Sequence, residues 1–151
     1  VPAQPELVRI DPDFTVLAKI SFTPPGPMLD KQLESDLIGR LLAVRTLDRK
    51  HIAKLGKILR EDQFHAVCSE AAKVLAKIGE PEARAELIAS SGNQKHAATR
   101  KAVVQALASL HTPESRETLW KMAQGEKNPA ILATIIETWA HAPAKPRSAR
   151  L

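Results

Sequence analysis

Four stretches of this chain fall into one register, and no other feature constrains its fold as strongly. Arg40, Cys68, Arg100 and Leu132 align; three residues on stand Ala43, Ala71, Val103 and Ile135, and seven on stand Leu47, Leu75, Leu107 and Trp139. The steps between units are 28, 32 and 32 residues. Spacings of three and four place apolar side chains on one face of a helix. A period near thirty residues that carries such faces describes a helical hairpin repeated along the chain. A lone hairpin cannot cover its own apolar faces, so units of this kind stack into a solenoid.

Each unit has start and stop signals. In the second, Val67, Ala71, Ala72, Leu75 and Ile78 form one apolar stripe. Gly79 follows and can take the left-handed conformation that closes a helix. Pro81 then suits the first turn of the next helix, where its missing N–H has no partner to lose. Ala85, Leu87 and Ile88 give that helix an apolar side. The third unit repeats the scheme with Ala102, Val103, Ala106, Leu107, Thr112, Pro113, Leu119 and Trp120. Small residues (Ala71, Ala72, Ala102, Ala106) let two helices approach closely. Composition agrees: aromatic residues are 3% of the chain and Tyr is absent, whereas sheets lean on aromatic and β-branched residues.

The ends differ. Residues 1–28 hold short β-branched runs, Leu7 to Ile10 and Phe14 to Phe22, separated by Asp11-Pro12-Asp13 and closed by Pro24-Pro25-Gly26-Pro27. They predict a strand-forming arm, the end of a preceding β-sandwich or a segment laid along the helices. Helical repeats are expected over 29–142. The fourth unit supplies Ile131, Leu132, Ile135, Ile136 and Trp139, then gives way to Ala142-Pro143-Ala144-Lys145-Pro146, so 143–151 reads as a disordered basic tail. A chain that starts at Val1 rather than Met is expected to come from a longer protein.

The stretch from Val67 to Ala83, with its paired Ala, Leu75, Ile78-Gly79 and Pro81, resembles the HEAT-like repeats of bacterial proteins, with Cys68 where that pattern usually has Arg. The implied fold is mainly α, a HEAT-like α–α superhelix with a short N-terminal β segment. A second resemblance spans the junction. Val8-Arg9-Ile10-Asp11-Pro12, Val16-Leu17, the Pro-rich stop and Asp36-Leu37-Ile38-Gly39-Arg40 are similar to a region of aminopeptidase N-like zinc peptidases. There a β-sandwich passes into a C-terminal helical-repeat domain. This resemblance implies a non-catalytic part that packs on a catalytic domain and shapes substrate access. Zinc is expected only in the parent's missing peptidase domain, because no two of His51, His65, His96, His111 and His141 are four apart as His-Glu-x-x-His requires.

Other chemistry-bearing groups have structural readings. His65 and Cys68 could share a helical face as soft metal ligands, but position 68 lies in a packed column, so a buried thiol is expected. A single cysteine also excludes an internal disulfide. Glu82, Glu86, Glu114 and Glu117 are read as first-turn carboxylates that suit the helix dipole. His96 and Asn128 read as cap or surface groups. Trp120 and Trp139 replace aliphatic residues in apolar columns and are expected in the core.

The net charge is +5, and residues 39–60 alone hold seven Lys or Arg (Arg40, Arg45, Arg49, Lys50, Lys54, Lys57, Arg60) against Asp48. Lys50, Lys54 and Lys57 should share a face of the first unit's second helix. With Arg49, Arg84, Arg116 and Lys121 they form a candidate basic interaction face, on the second helices that line the concave side of HEAT-like stacks. HEAT-like DNA glycosylases hold DNA backbone on such a concavity. No aromatic residues interleave with these cations, so nucleic acid is the secondary reading. The expected partners are upstream domains or another protein, as in a free-standing docking solenoid. No apolar run has the length of a membrane span. No cofactor is expected in this chain, and no enzyme activity.

Overall fold

The computed structural model describes residues 5–8, 10, 11, 15, 22, 24–92 and 94–140. Within them run α1 (Gly26–Leu33), α2 (Leu37–Thr46), α3 (Ile52–Glu61), α4 (His65–Ile78), α5 (Pro81–Ser90), α6 (Ala97–Leu110), α7 (Pro113–Gly125) and α8 (Pro129–Ala140). A single 3-10 turn, Arg49–His51, joins α2 to α3. Helices α2, α4, α6 and α8 pack side by side in chain order, and α3, α5 and α7 form a second layer against them. This is the two-layer stack that the register predicts, and the fold is a mainly α helical-repeat solenoid.

The repeat columns are the core. Ala43, Ala71 and Val103 are fully buried, as are Leu75 and Leu107. From the second layer, Leu55, Leu59, Leu87 and Leu119 reach the same cluster. Fully burying one such leucine stabilises the fold by about 1.5–3 kcal/mol. The small residues Ala71, Ala72, Ala102 and Ala106 are buried on α4 and α6, which pack against each other.

The helix signals act as read. Gly79 closes α4 at φ +67°, its amide 3.0 Å from the Leu75 carbonyl. The residue 32 positions on, His111, closes α6 in the same left-handed region at φ +52°. Pro81 and Pro113 open α5 and α7. Thr112 and Ser115 exchange side-chain and backbone hydrogen bonds at the start of α7, satisfying two amides that a helix end leaves open.

The N-terminal arm is described only in part. Among the described residues of the first 25, none lies in a strand; the rest of the two predicted runs lies outside the described residues. The proline cluster expected to close the arm opens a helix. Pro25 caps α1 and Pro27 sits in its first turn, where helix amides have no intrahelical acceptor. Met28, Leu29 and Gln32 of α1 are buried, with α1 against α2, so the first repeat is covered on its outer side. The predicted tail 143–151 lies outside the described residues.

Candidate interaction interface

The basic segment folds against carboxylates supplied from elsewhere in the chain. Arg40 Nε donates to Asp62 at 3.1 Å and Arg45 Nε to Glu70 at 3.0 Å. Lys54 pairs with Asp30 of α1, and Lys57 lies 4.0 Å from Glu61. Arg60 pairs with Glu86 of α5, whose carboxylate rests on Gly56; a Cβ there would meet its Oε2 at 1.9 Å. Only Arg49 and Lys50 of the seven have no carboxylate ion pair among the described residues. A local excess that looks like an anion site in one dimension is therefore largely neutralised in three.

The candidate face is also not one face. Arg49 and Lys50 sit in the 3-10 turn, off the α3 register that holds Lys54 and Lys57. Arg84 is half-buried on α5. Arg116 lines a shallow groove with Glu117, Trp120 and Trp139, whereas Lys121 pairs with Glu117 at 2.7 Å and borders a different groove with Arg100 and Glu126. Thus the structure brings together Lys54 with Lys57, and Arg116 with the tryptophans, but not all seven.

The aligned column of Arg40, Cys68 and Arg100 holds the junctions between units. Arg100 forks onto Glu126 (Nε–Oε2 2.7 Å, Nη2–Oε1 3.1 Å) and donates to the Lys95 carbonyl at 2.9 Å. Arg40 repeats this with Asp62 and the Ser35 carbonyl. Bidentate pairing of this kind fixes geometry as well as adding energy. The hydrogen bond from Arg100 holds the Glu126 carboxyl below its ordinary pKa, and Glu126 also accepts from the amides of Lys127 and Asn128. In the middle unit Cys68 is buried, its Sγ 3.3 Å from the Asp62 carbonyl, and the loop residue Gln94 donates to Leu59 and Ser90 carbonyls. Burial, with the nearby Asp62 charge, raises the Cys68 thiol pKa, so it is a packed thiol and not a nucleophile. His65 turns to His96, ring centroids 5.7 Å apart, rather than to Cys68. Asp62, Glu126 and Gln94 were not singled out from the sequence. The signal was an acid or amide standing 22–26 residues after each column residue.

The tryptophans depart from expectation. Trp120 is 51% exposed and Trp139 40%, and they stack on each other at 5.1 Å with planes 19° apart. Ile136, on the same helix as Trp139, is 67% exposed. In the Trp139 column a core site requires a further unit beside α8, and none follows among the described residues, whereas Ile88, aligned with Trp120, is itself only partly buried. Glu86 is likewise not a first-turn group but the partner of Arg60, while Glu82 and Glu114 do stand in first turns. Asn128 caps α8, its Oδ1 accepting from Ala130 N at 3.0 Å.

Among the described residues no three His, Cys, Asp or Glu gather to hold a metal ion, and no buried side-chain N or O lacks a hydrogen-bond partner. No described helix is long and apolar enough to cross a membrane. No curated protein and no solved structure matches the chain. Residues 52–140, more than half of the chain, match the family model for HEAT repeats. With the two-layer stack and its repeated columns, that match makes the chain a member of the HEAT repeat family.

Proposed function

We propose that this chain is a non-catalytic scaffold that docks polypeptide rather than nucleic acid. The observation that carries this reading is the pairing of Arg40, Arg45, Lys54 and Arg60 with carboxylates of other helices or loops, while Lys57 pairs with Glu61 along its own helix. Nucleic-acid affinity depends on cations free to displace counterions from phosphates. Here four of those cations tie one element to another, and the exposed side chains left over include aromatic and aliphatic groups of the kind enriched at protein interfaces. The test is a titration with duplex and single-stranded DNA at low and moderate salt. Weak binding that is indifferent to Lys50, Lys54 and Lys57 all becoming Glu is expected. Saturable binding that falls steeply with salt and is lost in that triple variant would replace this reading with the nucleic-acid one.

The finer reading is that the chain forms the C-terminal part of an aminopeptidase N-like metallopeptidase, packing on the catalytic domain and shaping substrate access. It is supported by the resemblance of the Asp11-Pro12 sequence and the junction into Asp36–Arg40, and the zinc would belong to the upstream domain. The coding sequence upstream of Val1 tests it. His-Glu-x-x-His followed by a downstream Glu is expected, and deletion of the helical repeats should then raise hydrolysis of long peptides relative to single aminoacyl substrates. An upstream region without that motif overturns it and leaves a free-standing docking solenoid.

A further inference from the structure

We infer that the C-terminal edge of the stack, formed by Trp120, Ile136 and Trp139, docks a second copy of this chain, α8 against α8 about a two-fold axis. This deepens the scaffold reading and rests on it. The aligned column Val44, Ala72, Val104 and Ile136 explains why the edge is open. Its first three members are fully buried, because a following first-layer helix lies on each, whereas Ile136 is 67% exposed. The column of Leu75, Leu107 and Trp139 behaves the same way, with two fully buried members and then one 40% exposed. The edge therefore continues the interface that joins every earlier unit, with its next occupant missing among the described residues.

Three observations select a second copy. At the opposite end of the stack α1 covers α2, so among the described residues α2 offers no open face for head-to-tail stacking. A two-fold contact needs only one patch that is complementary to itself. On α8 the exposed Ala133 stands one turn from Ile136, so antiparallel helices can set the small side chain of one against the large one of the other. The rim carries both signs, with Arg116 beside the Glu117–Lys121 pair, so the two-fold can place unlike charges opposite one another.

Sedimentation equilibrium together with tryptophan emission, over the micromolar range, tests this on the full chain. Both tryptophans of the chain lie at this edge, so the emission reports on it alone. The expected result is a mass that rises toward two chains while the emission shifts to the blue. Ile136→Glu should keep the helical circular dichroism, because this side chain is exposed within one copy. It should raise the dissociation constant at least about tenfold and cancel the blue shift, since it buries a carboxylate at the contact. One-chain mass throughout with unshifted emission would overturn the proposal, and so would a dimer indifferent to Ile136→Glu. A monomer whose emission shifts to the red when residues 143–151 are removed would overturn it by giving the edge to the chain's own tail. A monomer would leave the scaffold reading standing, because docking of a different polypeptide does not require self-association.

Discussion

At the start of α6, Arg100 reaches forward to Glu126 and back to the loop it has just left, whereas at the start of α4 the aligned Cys68 meets no carboxylate and lies against the Asp62 carbonyl. The acid changes together with the base: where Arg40 finds Asp62 and Arg100 finds Glu126, the loop after the Cys68 unit offers the neutral Gln94. One junction is a partly buried ionic clamp, the other a neutral packed joint. A repeat column thus keeps a task, holding a loop onto the next unit, while its chemistry changes: an ion pair at Arg40 and Arg100, hydrogen bonds to backbone carbonyls at Cys68 and Gln94. The two chemistries also fail differently. Removing one partner of a buried ion pair strands the other, whereas removing a thiol leaves only a small gap.

The largest effect should therefore come from Glu126→Ala. Its side chain is 6% exposed, and its loss strands Arg100 and two backbone amides, so unfolding in urea should lose about 3 kcal/mol. Acid should remove the same contribution. Because the folded pKa lies below the ordinary value, this stability is complete above the unfolded carboxylate pKa and is lost as pH falls through the lower folded one. Denaturation midpoints of wild type and Glu126→Ala should therefore converge as the pH is lowered. At the neutral joint, Cys68→Ala should cost about 1 kcal/mol, and that cost should not change over the same pH interval.

The smallest effect concerns the ends of these two helices. Gly79 and His111 occupy one repeat position at φ +67° and +52°, and only glycine takes that conformation without a Cβ penalty. His111→Gly should raise stability by about 0.5–1 kcal/mol, read as a higher melting temperature. A decrease would mean that the histidine side chain supplies something at that turn beyond closing α6.

The sequence carried the fold through its local signals. The columns through Ala43, Ala71 and Val103, the stop at Gly79 and the starts at Pro81 and Pro113 all act within one or two turns, and each stands where its chemistry requires. What escaped depends on distance. The +6 segment looked available because its acids, Asp30, Asp62, Glu70 and Glu86, lie on other elements or in the loops between them. Trp139 looked buried because its column is buried wherever another unit follows, and Trp120 because Ile88, 32 residues before it, packs partly against the core; a column alignment tests neither condition.

A double-mutant cycle on Arg100 and Glu126, run beside one on Cys68 and Gln94, tests most directly whether charge in this protein is committed to holding its units together. The account predicts a coupling of at least about 1.5 kcal/mol for the ionic pair and a value near zero for the neutral one. Equal couplings, or none in either cycle, would contradict it and return the cations of this stack to the pool available for a ligand.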